Sequence, residues 1–391
     1  MSVKFRHIAL LMTMALTTSC SKDDGDMNGG NGEQPTELVT PIVFTANQQE
    51  DETVTRAEAL EDYATTFTVY GYKNMSNENG SYGDLQTVMP GYTVNWMANS
   101  AYTTTTNTDG WEYVNQQSSG EEQTIKYWDW SAQAYRFFGY ALGTATADPA
   151  TSPTTVNATT TTNSVTFSST VDAASQATID AAPYFSRLWF SDGNAANYPD
   201  RQFGKPVQLQ FLKPFARVRF MFTFLDGLSF GREALRNISF HPTKPQDSPA
   251  PTIATAGTVT VSYPLQGSET AESWSTTPTN SISTFTIDYY EADDNYAPDD
   301  LTNPQVYDNT PENWYYVLPA LTQGSYTLEV SVMTDEVKSA VVPAEFMSWK
   351  PGYEYTYIFK INESGSVVLE SVNAAFTPWK SVEAPHDVYN W

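Results

Sequence analysis

The chain has 391 residues, with 20 Lys and Arg against 45 Asp and Glu, and a formal net charge of −25 at pH 7. That balance argues against nucleic-acid binding, which needs a basic face to displace counterions, and it disfavours adsorption to anionic headgroups; it suits a soluble body held off a negative cell surface. A single cysteine, Cys20, rules out an internal disulfide. Stability therefore has to come from core burial, for which a chain long enough for two ordinary domains is sufficient. Aromatic residues make up 14% of the chain, with 24 Tyr and 10 Trp, and Thr and Ser are abundant. This is the composition of a β-rich extracellular protein rather than of a helical enzyme.

Residues 1–19 read as a signal peptide. A basic start (Lys4, Arg6) precedes an apolar run over residues 8–16, too short to span a bilayer. The run closes on Leu16-Thr17-Thr18-Ser19-Cys20, and a cysteine directly after a small residue reads as a lipoprotein site. Its thiol takes a diacylglycerol, and two or three acyl chains at ~0.8 kcal/mol per buried CH₂ make a near-permanent anchor. The usual Leu three places before the cysteine is Thr17 here, with Leu16 one place further back. Ser21-Lys22-Asp23-Asp24 resembles the surface-export signal of Bacteroidetes lipoproteins; it also reads as the solvated start of a linker. Residues 20–40 are expected to be that linker, rich in Gly, Asn, Asp and Glu.

From Pro41-Ile42-Val43-Phe44 onward, period-2 alternation recurs. Residues 42–46 are expected to form an edge strand with Ile42, Phe44 and Ala46 on one face. Further strands are expected at residues 67–70, 135–140, 207–211, 217–224, 326–332 and 353–361. Val218, Phe220, Phe222 and Phe224 share one face, as do Tyr326, Leu328, Val330 and Val332. Short helical patterns cover residues 57–63, 171–179 and 231–238. Residues 143–180, rich in Thr, Ser and Ala, read as long loops with one strand over 164–168. No βαβ rhythm is present, so the expected class is all-β, built as sandwiches. A polar stretch near residue 200 divides an N-terminal body (41–200) from a C-terminal one (201–391).

Chemistry is sparse. His7 leaves with the signal peptide, and His241 and His386 are isolated, so no transition-metal site and no cofactor are expected. Glu121-Glu122, Asp293-Asp294 and Asp299-Asp300 lack the alternating form of a calcium loop; they read as solvated loop tips, with a weak surface calcium site as the alternative. Gly227-Leu228-Ser229-Phe230-Gly231 has the form of a hydrolase elbow, with His386-Asp387 as a later base. An elbow needs a parallel sheet packed by helices, which this pattern lacks, so Ser229 reads as a loop tip and no catalytic residue is assigned. Trp96, Trp111, Trp128, Trp130, Trp189, Trp314, Trp349 and Trp379 sit mostly in or beside apolar runs and are expected in the core, although exposed ones would suit glycan stacking.

Spread along this chain are Pro41-Ile42-Val43-Phe44 followed by Thr55-Arg56-Ala57, then Phe67-Thr68-Val69-Tyr70-Gly71-Tyr72, Trp111-Glu112-Tyr113, Tyr127-Trp128, and Tyr135-Arg136-Phe137-Phe138-Gly139-Tyr140. Residues 207–211, Pro214 and residues 216–220 come next, and then Leu318-Pro319, residues 326–332, and Trp349-Lys350-Pro351-Gly352-Tyr353-Glu354-Tyr355-Thr356-Tyr357. In order and spacing, over most of residues 41–379, these resemble the fimbrillin-like (Mfa-like) proteins of Bacteroidetes, subunits and accessory subunits of type V pili. The resemblance implies two tandem transthyretin-like (Ig-like) antiparallel β-sandwiches and export as a surface lipoprotein of the outer membrane, within a fimbrium. It also implies cleavage between Arg56 and Ala57, release of the first strand, and donor-strand exchange with other pilus subunits. Arg56 as a plain surface arginine in an uncleaved loop is the competing reading. The C-terminal tail, residues 367–391, is either a donor strand or a segment packed on its own body. Surface glycans or proteins of host or bacterium are the expected adhesion partners. The alternative function is a surface glycan-binding lipoprotein of a polysaccharide-uptake system, which would share the anchor; a Ser229 hydrolase is the third.

Overall fold

Alternating side chains build the described part of this protein almost entirely from strands. The computed structural model describes residues 40–48, 60, 64–77, 82–97, 104, 110–114, 117–118, 121–143, 154–224, 235–244, 251–268, 270–287, 307–308, 314–321, 324–332, 336–362 and 366–376. All belong to the unit that begins at Thr40.

In chain order the first strands are β1 (Phe44–Gln48), β2 (Thr66–Ser76), β3 (Tyr82–Met97), β4 (Gly110–Glu112), β5 (Gln117–Ser118), β6 (Glu121–Glu122) and β7 (Ala132–Ala141). Next come β8 (Asn157–Thr160), β9 (Ser164–Asp172), the short helix α1 (Gln176–Ala181), β10 (Tyr184–Ser186), β11 (Trp189–Ser191) and β12 (Val207–Leu212). The remainder are β13 (Ala216–Phe224), β14 (Leu235–Pro242), β15 (Ile253–Pro264), β16 (Ser273–Ile282), β17 (Phe285–Ile287), β18 (Tyr307–Asp308), β19 (Tyr315–Val317), β20 (Tyr326–Val332), β21 (Val337–Val342), β22 (Tyr353–Ile361) and β23 (Val367–Phe376).

The largest sheet runs β10-β12-β1-β4-β3-β2-β7-β11. Because β10 also pairs with β7, the path from β12 round to β7 closes on itself and leaves β11 as a branch. Its interior holds Ile42, Phe44, Phe67, Val69, Phe137, Val207, Leu209 and Phe211, all buried. Burying each such side chain contributes about 1.5–3 kcal/mol. A second core lies between the sheet β18-β13-β22-β23 and the sheet β17-β14-β20-β21. Val218, Phe220 and Phe222, with Tyr326, Leu328, Val330 and Val332, face it as the alternation predicts. Both large sheets carry one parallel pair, β1–β12 and β13–β22, among otherwise antiparallel neighbours.

A fourth sheet, β16-β15-β9-β8, joins distant parts of the chain. Residues 143–180, expected as loops with one strand, supply β8, β9 and α1. The long hairpin β15–β16 pairs with β9 through nine register positions and packs Val261, Tyr263 and Leu265 against Phe138, Phe167 and Phe185. Strand β12, beyond the division expected near residue 200, belongs to the sheet of β1.

Residues 231–238 were expected to hold a helical turn, and the described part is strand β14. Leu235 and Ile238 are both buried three positions apart, which imitates helical spacing. The cause is a β-bulge: the pairing with β20 shifts between Arg236 and Ser239, and Asn237 takes a φ of 52°. The pattern over 171–179 is divided between the end of β9 and α1. Helix α1 starts in a capping box in which Ser175 and Thr178 exchange hydrogen bonds.

At its other end α1 is closed by Lys213, from the link between β12 and β13. The buried Lys213 Nζ donates to the carbonyls of Ile179 (3.0 Å), Asp180 (3.0 Å) and Ala182 (2.5 Å) and lies 4.0 Å from the centre of the Tyr184 ring. Loss of hydration pushes its pKa down to about 7, with the nearby Asp180 opposing. The folded state thus disfavours the charged amine that the unfolded chain keeps up to its ordinary value of 10.5. The penalty is full below pH 7 and fades as the pH rises. Thermal unfolding followed from pH 7 to 9.5 should therefore show the wild-type midpoint gaining on that of Lys213→Met as the pH rises, with the largest gain at the alkaline end. Parallel curves for the two proteins would refute it.

Candidate functional site

The sequence directs attention to β1, and the structure shows how it is held. Ile42, Phe44 and Ala46 are buried, while Thr45 is exposed. The expected face is therefore the core face. Phe44 sits edge-on to three rings, with centroids at 6.1 Å (Phe67), 5.9 Å (Tyr113) and 5.7 Å (Phe137).

The expectation of an edge position is corrected. Strand β1 lies inside the sheet: all five of its residues pair in parallel with β12, from Phe44 with Val207 to Gln48 with Phe211, and Phe44 pairs with Trp111 of β4 on the other side. Alternation shows which face is buried, but an inner strand with one solvated face alternates just as an edge strand does.

The N-terminal end of this segment is fixed further. The Trp128 N–H donates to the Thr40 carbonyl (3.0 Å), the Ile42 N–H to the Lys126 carbonyl (2.8 Å), and the Val207 N–H to the Val43 carbonyl (2.8 Å). The Tyr113 hydroxyl donates to the Ile42 carbonyl at 2.9 Å, and burial pushes its pKa well above the ordinary value, so it stays a neutral donor. Gln123, also buried, braces this wall: its amide donates to the carbonyls of Thr93 and Tyr113 (both 2.7 Å) and accepts from the Thr93 N–H (2.6 Å). The carboxylate of buried Glu112 accepts from the N–H groups of Thr104 (2.5 Å), Tyr113 (2.9 Å) and Val114 (2.7 Å). Tyr113, Gln123 and β12 were not assigned to this site from the sequence. The signal for β12 was available, since Val207, Leu209 and Phe211 repeat the apolar spacing of Ile42, Phe44 and Ala46.

Together these residues make a slot for one strand. Its floor is aromatic (Phe67, Tyr113, Phe137), and its long wall is the backbone of β12. A bound extended segment receives ladder hydrogen bonds from that wall and places alternate side chains on the floor.

Cys20, Arg56, Ala57, Ser229, Asp293, Asp294, Asp299, Asp300, Trp379 and His386 lie outside the described residues. After β1 the chain is next described at Leu60, which is buried and accepts from the Ala64 N–H at 2.8 Å. His241, on β14, lies 3.7 Å from Glu329 and 3.1 Å from the Pro242 carbonyl oxygen. Among the described residues no group of His, Cys, Asp or Glu is arranged to hold a metal ion. Glu121 and Glu122 form the two-residue strand β6. Of the tryptophans, Trp111, Trp128, Trp189 and Trp349 are buried as expected, Trp96 and Trp314 are partly buried, and Trp130 is exposed.

No family profile matches the chain, and no curated protein matches it. It is similar to solved structures of cell-adhesion and fimbrial proteins of Bacteroidetes. A proposed cell adhesion protein of Bacteroides uniformis shares 15% identity, with 88% of this chain and 99% of that chain covered, at a TM-score of 0.34. A fimbrial assembly protein of Parabacteroides distasonis shares 11%, covering 86% and 99%, at 0.33. The fimbrial anchor protein Mfa2 of Porphyromonas gingivalis shares 9%, covering 86% and 97%, at 0.27. Likenesses this distant carry no weight of their own, and what the chain does has to be read from its own residues.

If the slot is held as described, the two faces of β1 differ sharply in cost. Phe44→Ala should destabilise the protein by about 3–5 kcal/mol in urea unfolding, whereas Thr45→Ala should stay within about 0.5 kcal/mol. Equal effects would mean that β1 does not contribute to the core.

Proposed function

We propose that this chain is a lipid-anchored cell-surface protein of the outer membrane that serves as a subunit or associated adhesin of a fimbrium, is not catalytic, and assembles by strand exchange. The observation that carries this reading is the β1 slot. A short strand closes the largest sheet, buries one apolar face, and is joined to the rest of the body through the segment that contains Arg56. Cleavage between Arg56 and Ala57 would leave β1 held by non-covalent contacts alone. Its departure would expose the backbone of β12 and an aromatic floor, which seek a replacement strand.

On this reading Cys20 carries the lipid, the linker within residues 20–40 tethers the body, and the replacement strand comes from another subunit. Residues 367–376 of the tail pair as β23 with β22 of their own body, which favours the self-packed reading of the tail over the donor one. The parallel pairs β1–β12 and β13–β22 support two tandem transthyretin-like sandwiches, each with its first strand set beside a late one; β12 would then close the first of them.

Limited trypsin digestion of the folded protein should cut at Arg56 before most other basic positions, and the cut body should then associate on size-exclusion chromatography. Antibody-labelled cells viewed by electron microscopy should show filaments. A body that resists cutting at Arg56, or that stays monomeric after the cut, removes strand exchange. Diffuse surface staining in that case would favour the glycan-binding alternative.

A further inference from the structure

The chain enters the described body at Thr40, and two exposed aromatic side chains flank that point. Pro41 bridges to Tyr127, and the Trp128 N–H binds the Thr40 carbonyl. Along this stretch Trp128 points inward at 4% exposure, while Tyr127 is 42% and Trp130 61% exposed. No other large apolar side chain among the described residues is as exposed as Trp130.

Trp130 is also held in place. The Asp129 carboxylate accepts from Lys73 Nζ (2.5 Å), from the Ser131 N–H (3.0 Å) and from the Ser131 hydroxyl (2.6 Å), while the Asp129 N–H donates to the Tyr135 hydroxyl (2.7 Å). These bonds fix the turn that presents the ring. The ring centroid lies 6.3 Å from that of Phe203. Beneath it is Gly204, at φ +81°, where a Cβ would come within 3.0 Å of Trp130 Cη2. Such a residue is presented for contact by a fixed turn, which lowers the ordering cost when the contact forms.

A Trp or Tyr ring with an apolar body and a polar tip favours the boundary between headgroups and hydrocarbon. Thr40 is the point of the body nearest along the chain to Cys20, and the link between them spans at most about 70 Å when fully extended. A surface beside that point meets the membrane at high effective concentration, so a weak contact suffices. The chain's charge of −25 opposes attraction to anionic lipid, so the contact expected here is aromatic and suits zwitterionic headgroups. Lys126, half-buried, precedes Tyr127, and Lys205, exposed, follows Gly204, while the carboxylate of Asp129 in the turn is paired.

We propose that Tyr127 and Trp130 form a foot that rests in the headgroup layer of the lipid surface to which the chain is tethered. This rests on the reading of Cys20 as a lipid anchor. The test uses the full acylated chain on phosphatidylethanolamine–phosphatidylcholine vesicles that carry a bromine quencher close to the headgroups. Flotation reports the anchor, and tryptophan emission reports the foot. The expected result is that the wild type floats with the vesicles and loses more emission to the quencher than Trp130→Phe, which floats equally well. Flotation with equal quenching of the two proteins overturns the foot and leaves the anchor standing. Failure of the wild-type chain to float overturns the anchor and the foot with it.

Discussion

The parallel pairing of β1 with β12 is the joint on which the first sheet depends. β12 is bonded to β10 on its other side, and β4 meets β1 at a single position, Phe44 with Trp111. With β1 present, the sheet closes from β12 round to β7. Without it, β12 and β4 have nothing between them, and the ring opens at that point. Parallel neighbours need a long crossover, and here the crossover comprises the whole of the first sheet. A strand of five residues thus links the beginning of the described body to its middle.

That sheet is not insulated from the later strands. The hairpin β15–β16 extends the sheet of β8 and β9, and the Tyr263 ring stacks on Phe138 of β7 with centroids 4.3 Å apart. The Tyr263 hydroxyl donates to the Ser186 carbonyl of β10 at 2.6 Å. Buried Arg136 of β7 donates both to Asn74 of β2 and to the carbonyl of Gly267, between β15 and β16. Its guanidinium also lies over the Phe190 ring at 4.6 Å. A change in β7 caused by loss of β1 would therefore be felt in a hairpin that belongs, by sequence, to the second half of the chain.

How much of this was legible beforehand differs with the kind of information. Burial faces were: Ile42, Phe44 and Ala46 point inward, as do the alternate residues of β13 and β20, because side-chain alternation is a local property of a strand. Neighbours were not, since nothing in residues 42–46 marks that both edges are paired, or that the partner lies at residues 207–211. The bulge at Asn237 defeated a local rule, because one extra residue converts a period of two into an apparent period of three. Trp130 was hidden differently. It sits beside Trp128 in an aromatic stretch, and only the turn fixed by Asp129 sends one ring inward and the other out.

The interior position of β1 changes what strand exchange would require. An edge strand can peel away from one partner, but β1 must leave two. Its ends are unequal, however. The N-terminal end is fastened by Trp128, Lys126 and Tyr113 as well as by β12, whereas among the described residues Asn47 and Gln48 pair with β12 alone. Loss of β1 would therefore start at Gln48, the end nearer Arg56 in sequence, and meet its main resistance at Phe44 and Ile42. A cut at Arg56 would free that weaker end without expelling the strand. Cutting and exchange would then be separate steps, the second waiting for an incoming segment able to replace the ring of Phe44 before the floor of Phe67, Tyr113 and Phe137 is exposed to water.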